Sequence, residues 1–262
     1  MQAPRISASS YSNTAPLIWS FLYGSNHGKV ELVLDNAPAR SAEMLMEDRV
    51  DAALVPVIAS QLIENVRFMP GVCVGAKEKV RSVCLVTKGA ELSDVRSVAL
   101  DSSSQTSVFL TKILFREFLG FEPEWRVAEP DIKTMLAESD AALLIGDPAL
   151  AITRSQTLKT FDLAEVWNSF TGLGFVFAMW MTKREKCPVD FAAARDEGLA
   201  HLEEIAANYQ TEIPIGRENM IEYLSQNISY SIDESMKNGM ELYFDLAKKN
   251  GLLTENRPLV YV

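Results

Sequence analysis

The regular alternation of short apolar runs with amphipathic stretches constrains the fold of this chain more than any other feature. The runs VELVLD (30–35) and DAALVPV (51–57) have the length of buried strands. Between them, PARSAEMLMEDR (38–49) has apolar residues at helical spacing and a proline where the first helical turn tolerates one. Strands that alternate with helices predict a largely parallel sheet with helices on both faces, and therefore an α/β fold.

The alternation occurs in two blocks, which predicts two lobes. The polar segment TKGAELSDVR (87–96) separates the blocks, the apolar run FVFAMWMT (175–182) ends the second block, and mostly helical sequence follows Pro188. We expect a mixed sheet in each lobe and a helical C-terminal return. Lobe 1 would comprise residues 1–90 and 178–262, and lobe 2, residues 91–177, would be inserted into it. Ligands of such sheets bind beyond the carboxyl ends of the strands, here in the cleft between the lobes.

Charge and motifs exclude several classes of protein. The formal net charge of −10 argues against nucleic-acid binding, for which a basic surface is expected. No stretch is long and apolar enough to predict a membrane span, and no signal-peptide pattern opens the chain, so we expect a cytoplasmic protein. The cysteines Cys73, Cys84 and Cys187 form no disulfide or metal-binding pattern. Because nucleotide, metal and hydrolase motifs are also missing, we predict neither a cofactor nor a metal.

Two polar loops each follow a predicted strand and begin a predicted helix. Free N–H groups at a helix start favour an anion, and neighbouring hydroxyls can hold a carboxylate without any formal charge. A single capping residue is enough to begin a helix, so the surplus of polar side chains favours binding over capping alone. The candidates in the first loop are Ser10, Tyr11, Ser12, Asn13 and Thr14, and those in the second are Ser103, Ser104, Thr106 and Ser107.

Four other polar residues, each considered alone, fit a structural role better than a role in binding or catalysis. Ser82 lies in the apolar run RSVCLV and is typical of a satisfied core hydroxyl. Asp147, followed by Pro148, has the pattern of a helix N-cap with proline at the first helical position. His27 in a turn and His201 in a charged helix are typical of surface residues.

Taken in order, several segments resemble chorismate dehydratase, the first enzyme of the futalosine route to menaquinone. The resemblance covers nearly the whole chain and depends on separate blocks with compatible spacing. It implies a fold like that of type II periplasmic solute-binding proteins, used as a cytoplasmic, cofactor-independent lyase. This enzyme converts the dicarboxylate chorismate to 3-[(1-carboxyvinyl)oxy]benzoate and water. The blocks are SYSNTAPL, VDAALVPVI, MPGVCVGAKEKVRSVCLV, VALDSSSQTS, LLIGDPAL, FDLAEVWNSFTGLGFVFAMW and YLSQNISYSIDESMKNGMELYFDLAKKNGL.

The resemblance also implies roles for individual residues. Asn13 would lie next to the reacting part of the substrate, and Ser82 would be a second active-site residue, which replaces its assignment to the core. The SSSQTS hydroxyls would bind carboxylates. Gln105 stands where the family usually has arginine, and Gly174 where it usually has proline, so we expect one positive charge fewer and a looser turn. Further substrate-binding positions are Gly146, Asp147, Thr171 and Gly172.

The motif positions provide Asn, Ser, Thr and Tyr rather than an ordinary base, which favours a substrate carboxylate as the base. Three alternatives remain. A second enzyme of the same pathway would use a histidine base, but no histidine lies between His27 and His201. A solute-binding protein without catalysis would need export or an anchor, and a transcription regulator would need a basic DNA-binding helix. A homodimer is compatible with the sequence, which does not determine the oligomeric state.

Overall fold

The computed structural model describes residues 3–35, 37–152 and 157–262. Within these ranges, ten strands form two five-stranded sheets flanked by helices. The strands are β1 Arg5–Ser9, β2 Glu31–Asp35, β3 Ala52–Pro56, β4 Arg67–Ala76, β5 Val83–Thr87, β6 Ser97–Asp101, β7 Glu124–Ala128, β8 Ala141–Ile145, β9 Lys159–Asp162 and β10 Phe175–Thr182.

Both sheets are mixed. The first has the order β2-β1-β3-β10-β4, in which β1 pairs in parallel with β2 and β3, and β10 runs antiparallel to β3 and β4. The second has the order β7-β6-β8-β5-β9, with β6 parallel to β7 and β8, and β5 antiparallel to β8 and β9. The central strands β3 and β8 are buried at every position, as their continuous apolar sequence predicts. The predicted α/β fold with two mixed sheets is confirmed.

Most helices follow the predicted amphipathic stretches. The periodic segment after Pro188 is divided into two helices rather than one, and none of the described helices has the length and hydropathy needed to cross a membrane. The α-helices are α1 Ala15–Leu22, α2 Pro38–Met46, α3 Ala59–Leu62, α4 Gln105–Ile113, α5 Ile132–Glu138, α6 Gly146–Ile152, α7 Leu163–Thr171, α8 Phe191–Leu199, α9 Leu202–Tyr209, α10 Arg217–Glu222 and α11 Glu234–Lys249.

The chain crosses between the sheets at residues 77–82 and returns at residues 172–174. Our placement of the first crossing at residues 87–96 was wrong, because β5 pairs with β8 and β9 of the second sheet. The expected return boundary at residue 178 lies inside β10 of the first sheet. The apolar run that forms β5 marks a buried strand, but it does not show which sheet the strand joins.

A buried carboxylate fixes the first crossing. Asp162 accepts hydrogen bonds from the backbone N–H groups of Val80 (3.1 Å) and Arg81 (2.5 Å), and the same side chain caps α7. Arg81 has a φ of +65°, a left-handed conformation that is unusual for a residue other than glycine. These contacts determine where the next residue, Ser82, enters the second sheet.

Helix α11 packs against the return crossing and lies on β10 of the first sheet and α4 of the second. Three aromatic rings join these parts: Phe175 lies 5.4 Å from Trp167 and 5.1 Å from Tyr243, centroid to centroid. The N–H of Gly174 donates to Ser235 Oγ at 3.0 Å, and a Cβ at Gly174 would lie 2.7 Å from Met236. Gly174 is thus packed and hydrogen-bonded, and the looser turn expected from this glycine stays a prediction.

Candidate active site

A cavity lies between the two sheets and is lined by both of the polar loops identified in the sequence. The loops follow β1 of the first sheet and β6 of the second, and the carboxyl end of β8, at Ile145 and Gly146, meets the same cavity. From the first sheet and its loops the cavity is lined by Ser9, Tyr11, Asn13, Thr14, Pro38, Leu54, Pro56, Val74, Phe177 and Ala178; from the second it is lined by Val83, Ser104, Thr106, Ser107, Ile145 and Gly146.

The first loop begins α1 without any capping side chain. A 3-10 turn at Ser12–Thr14 precedes the helix, and no side-chain cap bond is made at Tyr11 or Thr14. Thr14 is held instead by Ser9, with 3.1 Å between their hydroxyl oxygens. Asn13 lines the cavity, and its amide oxygen accepts a long 3.4 Å bond from the Thr14 hydroxyl. The Asn13 amide is therefore available to a ligand.

The second loop divides its hydroxyls between structure and cavity. Ser103 donates to Asp101 Oδ1 through both its N–H (2.8 Å) and its hydroxyl (2.6 Å), which closes the turn before α4. Ser104 occupies the N-cap position of α4 without making a cap bond. Ser104 and Ser107 line the cavity, and neither hydroxyl makes a hydrogen bond with the residues that the structure describes. They are the donors that this loop can offer to an anion.

Thr106 connects the second loop with the first sheet and with the C-terminal helices. Its hydroxyl accepts a long bond (3.4 Å) from the N–H of Ile58, and its carbonyl accepts one from the Tyr243 phenol at 3.0 Å. The second loop is therefore held from outside its own sheet.

Asp147 joins the two sheets and does not cap a helix. Its carboxylate accepts from the N–H of Ser12 at 3.1 Å and from the Ser12 hydroxyl at 2.5 Å. The N-cap interpretation of Asp147 was wrong, because α6 already begins at Gly146 and the carboxylate is used 135 positions away in the sequence. Burial raises the pKa of Asp147, while its bonds from Ser12 oppose that increase.

Gly146 allows the Tyr11 ring to lie in the cavity. Its φ is +64°, and a Cβ built on it would lie 2.8 Å from two carbons of the Tyr11 ring. Glycine is needed here both for the backbone conformation and for the close approach of the ring. Burial raises the pKa of the Tyr11 phenol, and the nearby Asp101 and Asp147 carboxylates raise it further, so it is neutral at physiological pH.

Ser82 is fully buried beside a residue that the sequence analysis missed. Its hydroxyl has no hydrogen-bond partner of normal geometry among the described residues, which differs from the satisfied core hydroxyl first considered. Next to it lies the phenol of Tyr223, which also contacts the Asn13 amide. Tyr223 lies in a segment with helical spacing, where an aromatic residue is typical of a core position, so the sequence gave no separate signal for it. Asn13 and Ser82, the two residues predicted to be catalytic, thus both lie beside the Tyr223 phenol.

Some of the predicted site residues lie away from the cavity. The Thr171 hydroxyl donates to the Trp167 carbonyl at 2.8 Å and accepts from the Leu173 N–H at 3.1 Å, which closes the end of α7. Gly172 ends that helix with a φ of +70°. Neither residue lines the cavity, and their role in substrate binding stays a prediction. The same holds for the other predicted site residues outside the lining, which are Ser10, Ser12, Ser82, Ser103 and Asp147.

The side chains lining the cavity include no Lys, Arg, His, Asp or Glu. His201 stacks on Trp19 with 3.7 Å between ring centroids, and Gln105 does not line the cavity either. The nearest carboxyls, Asp35, Asp101 and Asp147, have their pKa raised, mainly by burial. In the described part of the chain, no group of His, Cys, Asp and Glu side chains could hold a metal ion. An anion in this cavity would be bound by N–H and O–H donors alone.

Comparison with known proteins agrees with this geometry. A family model described as menaquinone biosynthesis matches residues 4–249. The chorismate dehydratase of Thermus thermophilus is 29% identical over 259 residues, which cover 89% of this chain and 91% of the relative. A crystal structure of a protein from Archaeoglobus fulgidus has a TM-score of 0.77 at 18% identity, over 96% of this chain and 98% of that chain. The periplasmic aliphatic sulphonate binding protein of Escherichia coli has a TM-score of 0.68 at 14% identity, over 100% and 94%.

The structural likeness confirms the predicted periplasmic-binding-protein-like fold. The family model extends over both sheets and both polar loops, from β1 to the end of α11. The chain therefore belongs to the menaquinone biosynthesis family.

Proposed function

We propose that this protein is a chorismate dehydratase, a carbon–oxygen lyase that removes water from chorismate to give 3-[(1-carboxyvinyl)oxy]benzoate. The supporting observation is the cavity itself, which presents the Asn13 amide and the Ser104 and Ser107 hydroxyls but no ionisable base other than a buried tyrosine. Such a site suits an anionic substrate that supplies its own base. The name of the Thermus thermophilus relative and the family to which this chain belongs support the same activity.

We further propose that the two sheets are the centres of two lobes that part to admit the substrate. The lobes would meet at the crossings, residues 77–82 and 172–174, instead of the boundaries expected from the sequence. The Ser12–Asp147 contact joins the lobes beside the cavity and would favour the closed arrangement. Closure would exclude water and hold the substrate in one conformation.

The difficult step in this reaction is removal of the proton on ring carbon C3. That carbon is allylic and conjugated with the ring carboxylate, so negative charge formed there spreads toward the carboxylate. In the proposed step, the enolpyruvyl carboxylate of chorismate takes the C3 proton. A base held within the same molecule reacts with a high effective concentration, which lowers the barrier.

Loss of the C4 hydroxyl then completes the reaction. The electron pair of the C3–H bond forms the C3–C4 double bond as the C4–O bond breaks, and the ring becomes aromatic. The departing hydroxide takes the proton from the enolpyruvyl carboxylate and leaves as water. No oxidant or other reactant is required, since atoms and charge balance between chorismate, the product and water.

The protein's part in this scheme is to orient and to stabilise charge. Asn13 would hold the enolpyruvyl carboxylate against the C3 proton. Ser82 is fully buried and does not line the cavity, so its hydroxyl would have to turn toward the bound substrate to donate to the departing hydroxyl. Ser104 and Ser107, with the N–H groups at the start of α4, would bind the ring carboxylate and stabilise charge that develops there. Tyr11, kept neutral by burial, would act as a donor and not as a base.

The direct test is incubation with chorismate, followed by ultraviolet spectra and mass detection of a product lighter by one water. We expect the wild type to form the aromatic product. Asn13→Ala should lower kcat by roughly 10²-fold, as removal of one well-placed donor typically does. Asn238→Ala is the matched control, because this asparagine is exposed on α11 and away from the cavity.

The outcomes separate the alternatives. A wild type that binds chorismate and returns it unchanged would support a solute-binding role and refute the lyase assignment. Full turnover by Asn13→Ala, with normal binding, would refute the orienting role of that amide. The cytoplasmic location and a homodimer stay predictions, which cell fractionation and sedimentation would test.

A further inference from the structure

Tyr223 is a buried polar residue whose position the fold alone does not explain. It is 0% exposed and begins a π-helical segment, Tyr223–Asn227, that continues α10. Its phenol oxygen has no hydrogen-bond partner of normal geometry among the residues that the structure describes. Buried polar groups are nearly always satisfied, and π-helical segments occur frequently at functional sites.

One of the two neighbours of this phenol, Asn13, lines the cavity. Ser82 and Asn13 both act on the phenol by hydrogen bonding, although burial dominates and keeps the pKa of Tyr223 far above its ordinary value. The Ser82 hydroxyl is itself buried and has no partner of normal geometry within the described chain. Two unsatisfied hydroxyls therefore lie together beside the one amide that lines the cavity.

Other buried tyrosines show that this arrangement is particular to Tyr223. The phenol of Tyr243 donates to the Thr106 carbonyl at 3.0 Å, and that of Tyr209 donates to the Ser10 carbonyl at 3.1 Å. Tyr230 is 4% exposed and also has no partner in the described residues, but Asn13 and Ser82 are not among the groups that act on it. Tyr230 is thus a matched reference for a buried phenol without a hydrogen bond.

We propose that Tyr223 is a positioning residue for the dehydration, whose phenol orients the Asn13 amide and the Ser82 hydroxyl toward the substrate. This inference rests on the function proposed above. Tyr223 does not line the cavity, so it acts through its two neighbours and not on the substrate. Both hydroxyls lack partners of normal geometry among the described residues, and their hydrogen bonds would be completed when a substrate carboxylate draws in Asn13.

Tyr223→Phe removes only the phenol oxygen and tests the proposal. We expect kcat to fall by about tenfold to hundredfold, the scale of a misplaced catalytic group, while KM changes less than threefold. Because the lost hydroxyl has no partner, the melting temperature should stay the same or rise. Tyr230→Phe should behave like Tyr223→Phe in melting temperature but keep the wild-type kcat.

A double-mutant cycle shows whether Tyr223 acts through its neighbours. In the Ser82→Ala and Asn13→Ala backgrounds, Tyr223→Phe should lower kcat by a markedly smaller factor than in the wild type. The reason is that one of the two groups positioned by the phenol is already absent. Equal losses in all three backgrounds would overturn the proposal, as would an unchanged kcat in Tyr223→Phe.

The stability measurement keeps this inference separate from the proposed function. If the wild type does not convert chorismate, the proposed function fails, and the melting temperatures still test the arrangement at Tyr223. A melting temperature of Tyr223→Phe several degrees below that of Tyr230→Phe, with the same difference in the Ser82→Ala and Asn13→Ala backgrounds, would mean that the phenol is bonded to other groups in the folded protein. That result would overturn the inference whatever the activity.

Discussion

Replacing Gly146 with alanine should destabilise the protein by more than the backbone conformation alone explains. The left-handed φ of +64° costs a residue with a Cβ about 1–2 kcal/mol. The new Cβ would also lie 2.8 Å from two carbons of the Tyr11 ring. Carbon atoms pack at roughly 3.5–4.0 Å, so the ring must retreat by about 1 Å. Such overpacking typically adds about 1–3 kcal/mol, for a total of about 2–5 kcal/mol.

The chain provides a matched control for the backbone contribution. Gly251, which follows α11, has a φ of +67°, and nothing lies within 4 Å of a Cβ built on it. Gly251→Ala should therefore lose only about 1–2 kcal/mol of unfolding free energy. Urea denaturation of the two variants and the wild type measures the difference, provided that the slope of the transition is unchanged.

The contact with Tyr11 can be tested directly. In a Tyr11→Ala background the ring is absent. Gly146→Ala should then lose no more unfolding free energy than Gly251→Ala loses in the wild type. The close packing of Tyr11 on Gly146 is refuted by either of two results. In the first, Gly146→Ala and Gly251→Ala lose the same unfolding free energy in the wild type. In the second, Gly146→Ala loses the same unfolding free energy with and without the Tyr11 ring.

Three further predictions concern contacts around the site. Ser12→Ala removes one donor to the buried Asp147 carboxylate and should cost about 1–3 kcal/mol of unfolding free energy by urea denaturation, whereas a cost near zero would contradict this bond. Gly198→Ala would bring a Cβ into the carbonyl of Pro16 and should abolish soluble expression or lower the melting temperature well beyond the loss for Gly251→Ala. Burial raises the pKa of Asp101, so the folded state binds this proton more tightly than the unfolded state does. At neutral pH, burying the charged carboxylate therefore lowers the free energy of unfolding. That loss is relieved as the pH falls through the raised pKa. Denaturation across pH 4–7 should therefore show the wild type gaining stability relative to Asp101→Asn on acidification, and a relative loss would contradict the direction of the shift.

The sequence predicted those parts of the fold that depend on local pattern. The runs around Leu54 and Leu143 are continuous and apolar, and they form the buried strands β3 and β8. The hydroxyls of the loop after Asp101 follow β6 of the second sheet, and Ser104, Thr106 and Ser107 line the same cavity as residues of the loop after β1 in the first sheet. Pattern and turn chemistry were sufficient for these features.

The parts that were missed depend on contacts between distant residues. The segment before Pro148 has the local pattern of a cap, but the partner of Asp147 is Ser12 in the other sheet. Strand β5 could have joined either sheet until its pairing with β8 was known. Tyr223 has helical spacing like any core aromatic, and only its unsatisfied phenol beside Asn13 distinguishes it.

The absence of basic side chains from the cavity lining bears on how affinity should respond to ionic strength. When a pocket holds an anion with arginine or lysine, its affinity for the anion falls as added salt screens the attraction. Here the ligand would be held by short-range N–H and O–H contacts, which mobile ions hardly screen. The net charge of −10 repels an approaching dianion at long range, so electrolyte should speed encounter slightly. The dissociation constant for chorismate should therefore be unchanged or slightly lower at high salt.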